Sequence, residues 1–274
     1  MPELPELEAY RRRFAPKLAD RVVEAVDVNP RKGFLLRSPV QVFTKEPVGR
    51  AIKGVWRRGK HLVFDLEGRS GECGHLVVNP MLGGRFQVVP AKEKRRAVMI
   101  FALRLDTGDE LRYLDFKDMG RVYWTPDPAK DVPVWPELGP EADSLPDMGL
   151  EGFRKRLRRY RAAIKDVLRD QAFLAGIGNA YSDEILWEAK ILPLRRRSSL
   201  KPEDEERLFE AITSVLSRAT EVILANPNYE EAKQDRSFMA VHARGGQDCP
   251  RCGHRISQIG SDREPMNFCR GCQL

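Results

Sequence analysis

The chain has 274 residues, of which 42% are hydrophobic and 32% charged, and its formal net charge is +7. That apolar fraction is enough for packed cores, and at ~150 residues per domain the length suits about two domains. No apolar run approaches the ~20 residues of a membrane-spanning helix, and the polar opening Met1-Pro2-Glu3-Leu4-Pro5-Glu6 is unlike a secretory signal.

Pro5 suits a first helical turn, and Leu7, Tyr10, Phe14 and Leu18 then recur at spacings of three and four. A helix is expected there, ending near Asp20, with Pro16 as a candidate kink. From Arg21 to about Trp124 the period shortens. Strands are expected at Val22–Val28, His61–Leu66, Arg85–Val89, Val98–Leu105 and Val122–Trp124, separated by turns such as Asp106-Thr107-Gly108-Asp109. Six prolines between Pro126 and Pro146 then read as a linker.

Helical periodicity resumes near Leu150. Arg154 to Arg169 holds eight basic residues against one acid, Asp166, as expected of a face built for phosphates. The turn Ala175-Gly176-Ile177-Gly178 leads to Asn179, the expected N-cap of a helix carrying Ile185, Leu186 and Trp187. A longer helix is expected from Pro202 to Ala225, stopped by Asn226-Pro227. The expected class is α+β and multidomain: an N-terminal helix with a β-sandwich (1–132), a linker (133–149), a helical region (150–238) and a ribbon (239–274).

Four of the five cysteines fall in the last 26 residues as Cys249-x2-Cys252 and Cys269-x2-Cys272, sixteen residues apart. Four thiolates at that spacing can close a tetrahedral, structural Zn²⁺ site. This is no disulfide framework, so a reducing compartment is expected. Cys73 stands alone and is expected as a small buried apolar residue.

Removal of Met1 before a small residue would leave Pro2 with a free secondary amine. An α-amino group titrates at ~7.7–8.0, well below lysine, so it is partly neutral and nucleophilic near pH 7. Glu3 and Glu6 stand close enough in the chain to serve as general acid or base, although acids near a helix start also complement its dipole.

The opening Met-Pro-Glu-Leu-Pro-Glu-Leu-Glu resembles the N-terminal signature of the formamidopyrimidine-DNA glycosylase / endonuclease VIII family. Three further blocks agree in order: Arg57-Arg58-Gly59-Lys60 resembles the hairpin lysine motif, Asp170 to Glu184 the helix–two-turn–helix, and the four cysteines the family's zinc ribbon. The resemblance spans nearly the whole chain. It implies a monomeric, cytoplasmic, nucleoid-associated bacterial enzyme that acts on damaged double-stranded DNA. It would excise oxidised bases, purines first and pyrimidines second, and cleave the strand by β,δ-elimination. It further implies Pro2 as nucleophile, Glu3 as acid, Lys60 as a phosphate contact supporting catalysis and Glu6 as a secondary acid. Lys165, Asn179, Gly178, Tyr181 and Arg263 would contact DNA. Met81, with Lys117 and Met119, would fill the gap left by an everted base.

The sequence departs from that family at those last positions. Lys117 and Met119 stand where Arg and Phe are common, Asn79-Pro80 and neighbours look inserted relative to the family's His-Leu-Gly-Met pattern, and Glu264-Pro265 shifts Arg263 relative to the third cysteine. Lys lacks the planar fork of Arg, so the departures fall on lesion recognition. Two other classes stay open: a damage or abasic-site sensor without turnover, and a zinc-ribbon transcription or RNA-binding protein, which leaves the N-terminus unexplained.

Overall fold

The computed structural model describes residues 1–226, 235–261 and 265–274. The chain forms two compact units. One holds Met1–Pro2, Glu6–Pro136 and the described part of 224–233; the other holds Glu3–Pro5, Glu137–Ile223 and the described part of 234–274. No helix among the described residues is long and apolar enough to cross a membrane.

Helix α1 (Leu4–Leu18) opens the chain and carries Pro16 in its last turn. The first unit then builds β1 (Val23–Val28), α2 (Val40–Lys45), β2 (Ala51–Arg58), β3 (His61–Glu67), β4 (Cys73–Asn79), β5 (Gly84–Pro90), β6 (Met99–Leu105), β7 (Asp109–Asp115) and β8 (Arg121–Thr125). The strands make two antiparallel four-stranded sheets, ordered β1-β6-β7-β5 and β2-β3-β4-β8. Rings fill the space between them. Phe86 of β5 lies 6.0 Å from Phe64 of the other sheet and 5.1 Å from Tyr113 of its own. Tyr10 of α1 closes on Phe86 at 5.3 Å, so the apolar stripe read along α1 is buried against the strands.

All five expected strands form. Three more form where no apolar pattern announced them, each with a physical reason. β2 is an edge strand with Lys53, Gly54, Arg57 and Arg58, and a bulge between Ile52 and Gly54 breaks its alternation. β7 hides its pattern behind Glu110 and Arg112, which are buried as an ion pair at 2.7 Å. β4 opens with Cys73-Gly74-His75, and Cys73 is exposed there, contrary to the expectation that it is buried.

The proline-rich stretch is ordered into short turns. Helix α3 (Pro128–Asp131) is capped by the Asp127 side chain, and Val132, Ala142 and Leu145 are buried. Helix α4 (Leu145–Leu157) starts earlier than the expected Leu150 and breaks at Gly149 (φ 68°, ψ 166°), so regular helix does resume just after it. α5 (Ile164–Arg169), α6 (Asn179–Glu188) and α7 (Pro202–Ala225) follow, and the hairpin of β9 (Ile256–Ile259) and β10 (Met266–Cys269) ends the chain. The second core joins Leu4, Phe153, Phe173, Tyr181, Ile185 and Ile212.

Phe86 touches four other rings of the first core. Truncating a core phenylalanine costs about 3–5 kcal/mol. Phe86→Ala should therefore lower the urea midpoint of the first unit's unfolding transition at an unchanged slope, read by circular dichroism.

Candidate functional site

Glu3 is nearly completely buried, at 2% exposure, and it answers a problem posed by α6. The first amides of any helix lack intrahelical acceptors. Here the Glu3 carboxylate takes them. Gly178 N donates to Oε2 at 2.6 Å, Ala180 N to Oε1 at 3.0 Å and Tyr181 N to Oε2 at 3.4 Å. Leu4 N donates in turn to the Gly176 carbonyl at 3.0 Å. Both glycines are required by this approach. A Cβ on Gly178 would lie 2.5 Å from the Glu3 carboxyl carbon, and Gly176 sits at φ +104° against Leu4.

This corrects one expectation and shows what surrounds two other expected site residues. Asn179 is the first helical residue and not the N-cap, a position held by Gly178. Three of the amides at the helix start are taken by the Glu3 carboxylate. Gly178 and Tyr181 are buried, and their N–H groups hold Glu3.

Lys165 and Asn179 also have protein partners. Lys165 is 1% exposed, and its Nζ donates to Asp183 Oδ1. Burial lowers its pKa from the ordinary lysine value, with Asp183 opposing the shift. Asp183 Oδ2 meets His242 Nδ1 at 2.8 Å and accepts from Asn267 N at 3.3 Å. Next to it, Glu184 accepts from the amides of Ala240 (2.7 Å), Val241 and His242 (2.8 Å each). Asn179 Nδ2 donates to the Pro265 carbonyl at 2.8 Å. Asp183 and Glu184 lie in the Asp170 to Glu184 block, but their buried partners, His242 among them, are not visible in the sequence. Arg263 lies outside the described residues.

In the first unit, Pro2 and Glu6 are buried, and Lys60 is half-buried at the turn between β2 and β3. Two adjacent loops carry the expected gap-filling residues. One runs from Pro80 to Gly84, where Met81 adopts φ +44°. The other is built on Asp115, whose buried carboxylate accepts from the amides of Lys117 (2.9 Å), Asp118 (3.0 Å), Met119 (3.1 Å) and Gly120 (2.6 Å). Phe116 N donates to the Gly83 carbonyl at 3.2 Å, which joins the loops. Leu82, Phe116 and Met119 stand exposed at their tips, and Lys117 is exposed beside them.

The four cysteine sulfurs of the second unit lie within 4.8 Å of one another, close enough for one metal ion. Burial raises the thiol pKa of Cys249, but the Trp187 indole N–H, 3.4 Å from its Sγ, and two backbone amides outweigh that and bring it down to about 6. Burial and the neighbouring sulfurs push Cys272 up to about 12. The thiols cannot all ionise together unless a cation offsets their charge. Arg251 stacks 3.8 Å from the Trp187 ring centroid and fixes the indole.

Residues 1–122 match the model of the formamidopyrimidine-DNA glycosylase N-terminal domain, and residues 138–225 that of the formamidopyrimidine-DNA glycosylase H2TH domain. A formamidopyrimidine-DNA glycosylase of Herpetosiphon aurantiacus is 34% identical over 280 residues, covering 100% of both chains. The chain belongs to the formamidopyrimidine-DNA glycosylase family. A second family member, from Pelotomaculum thermopropionicum, is also 34% identical, covering 100% of this chain and 99% of its own. Among solved structures, the Lactococcus lactis enzyme in complex with DNA containing Fapy-dG superposes with a TM-score of 0.86 at 26% identity, covering 99% of this chain and 100% of its own. A MutM protein with carbocyclic 8-oxo-G DNA superposes with a TM-score of 0.87 at 25% identity, covering 100% of both chains.

The contact between the family's opening segment and α6 can be tested by overpacking it, which costs about 1–3 kcal/mol in a well-packed site. Gly178→Ala should unfold at lower temperature than the parent by several degrees. An unchanged midpoint would mean that Glu3 is free to move away.

Proposed function

We infer that this chain is a bifunctional base-excision-repair enzyme, a DNA glycosylase and abasic-site lyase acting on oxidised bases in double-stranded DNA. The observation that carries this reading is the buried Glu3 carboxylate, held by three amides at the start of α6 and following Pro2 in the chain. The full-length match to formamidopyrimidine-DNA glycosylases supports it. Oxidised purines are the preferred class, because related structures hold DNA with Fapy-dG and 8-oxo-G.

Once Met1 is removed, the Pro2 amine attacks C1′ of the damaged nucleotide. The C1′–base bond breaks, the base leaves with a proton, and the sugar ring opens to an iminium. Glu3 moves the proton to and from the ring oxygen, fixed in place by the amides it accepts from. The iminium withdraws electrons from C2′, whose proton is lost as the 3′ phosphate departs. A second elimination releases the 5′ phosphate. Lys60 offers its charge to a backbone phosphate, and Glu6 serves as a secondary acid. Leu82, Phe116 and Met119, with Met81 and Lys117, fill the gap beside an everted base. Lys165 and Asn179 act in this reading by holding the helical region together, since both are committed to protein partners.

Zn²⁺ is the metal this cysteine set suits. Zn–S bonds of ~2.3 Å in a tetrahedron put sulfurs about 3.8 Å apart. Cys249 and Cys272 are 3.8 Å apart, and Cys252 and Cys269 3.4 Å. The ion would be structural, joining the two halves of the ribbon. A division into a sandwich (1–132), a helical region (150–238) and a metal-held ribbon (239–274) accords with that role.

Borohydride trapping on a duplex with an abasic site tests the chemistry. The parent should form a covalent adduct, and Pro2→Gly should form far less while still binding DNA. No adduct from the metal-loaded parent would leave the reading of a sensor without turnover. For the metal, a chelator should release one zinc per chain, read with a zinc dye, and change tryptophan emission in step. Trp187→Phe should lose that optical change and release zinc sooner.

A further inference from the structure

Asn79-Pro80, a departure from the family pattern before Met81, has a partner across the sheet. β3 and β4 pair Leu62 with Val78, which sets His61 opposite Asn79. His61 is 4% exposed and immediately follows Lys60. Its Nδ1 lies 3.2 Å from the Arg58 carbonyl, and its Nε2 lies 3.3 Å from Asn79 Nδ2. A carbonyl only accepts, so Nδ1 carries the proton and donates to it. Nε2 is then the lone pair that accepts from the Asn79 amide. Asn79 Oδ1 faces the other way and accepts from Met81 N at 3.1 Å. Each bond fixes the direction of the next.

Burial keeps the imidazole neutral, with its pKa lowered to about 4, and the charges of Arg121 and Arg58 also oppose its protonation. Trp135 covers the ring edge-on at 6.0 Å. At the far end, Met81 holds φ +44°, a left-handed backbone that L residues rarely adopt. The bond from Asn79 and the Gly84 N to Pro80 O bond at 2.8 Å brace that turn.

We propose that His61 and Asn79 are positioning residues, a hydrogen-bonded relay that fixes the Met81 turn and couples it to the turn carrying Lys60. The proposal rests on the functional reading above, in which Met81 enters the gap beside an everted nucleotide. Asn79 would then govern how well the gap is filled more than how the sugar is cleaved.

The probe is a duplex with a tetrahydrofuran abasic analogue flanked by 2-aminopurine, whose fluorescence reports gap filling without chemistry. Asn79→Leu keeps the size and removes both bonds. It should slow the fluorescence change about tenfold, as expected when a buried polar group is deprived of its hydrogen-bond partner. Met81→Ala should do the same, and the double variant should be no slower than either single one. Excision of an oxidised purine should fall by the same factor, and cleavage at a preformed abasic site by about threefold or less. Asn79→Asp retains the acceptor for Met81 but cannot donate to His61, and should fall between Asn79→Leu and the parent. It serves as the reading if Asn79→Leu does not fold, judged by its unfolding midpoint. Unchanged fluorescence in Asn79→Leu would overturn the relay, as would multiplicative effects in the double variant or equal losses in excision and abasic cleavage. A parent that gives the fluorescence change but no borohydride adduct would count against the lyase reading alone.

Discussion

A backbone amide buried without an acceptor costs as much as a lost hydrogen bond, and this protein meets that constraint with carboxylates. Glu3 takes three amides at the start of α6, Asp115 takes four in the loop after β7, and Glu184 takes three in the segment 240–242. A carboxylate suits this work because it has two oxygens with about four lone-pair sites and no donor of its own. One side chain thus sets the path of several residues. Glu3 gains its fixed position from the same bonds that satisfy the helix, so the opening segment and α6 are not separable there.

The same accounting separates Lys165 from the other basic residues of its stretch. A lone ammonium is costly to bury, and an Asp–Lys pair repays that cost only when further hydrogen bonds satisfy the remaining lone pairs. Asp183 meets the condition by also engaging His242 and Asn267. The pair therefore ties α5, the chain before the ribbon and β10 to one carboxylate. Breaking it would strand a buried charge, which explains why one residue of a strongly basic stretch can serve the interior instead.

What the sequence made legible follows the strength of the local signal. The apolar stripes of α1 and α7, the five regular strands and the four cysteines all carry strong patterns, and each is present as expected. β2 and β7 were hidden because a bulge and a buried ion pair replace apolar alternation with charge. The family motifs pointed to Pro2, Glu3 and Lys60 without showing how Glu3 is held. That depends on contact between Glu3 and Gly178, and no local pattern records a contact of that separation. Asn179 looked like an N-cap because Asn is a good one. The deciding fact was a carboxylate 175 residues before Gly178 that already occupied the amides.

The loop after β7 shows how residues at a tip can change while the path of the loop persists. Its path is set by Asp115 through main-chain amides, which any residue but proline supplies. Lys117 and Met119 can therefore replace Arg and Phe at the tip without moving the loop. Gly83 and Gly120 cannot change so freely, since a Cβ on Gly83 would lie 2.4 Å from Asp115 Oδ1 and one on Gly120 2.1 Å from Tyr113 Oη. The constraint thus falls on the glycines and the buried acid, and freedom falls on the exposed tips. Met81 differs from those tips in one respect. Its left-handed backbone is braced by Asn79, so a change of partner at that position alters geometry as well as side chain. The departures in this chain therefore belong to two kinds: Lys117 and Met119, which change exposed residues on a loop fixed by Asp115, and Asn79-Pro80, whose Asn79 side chain accepts from the Met81 amide.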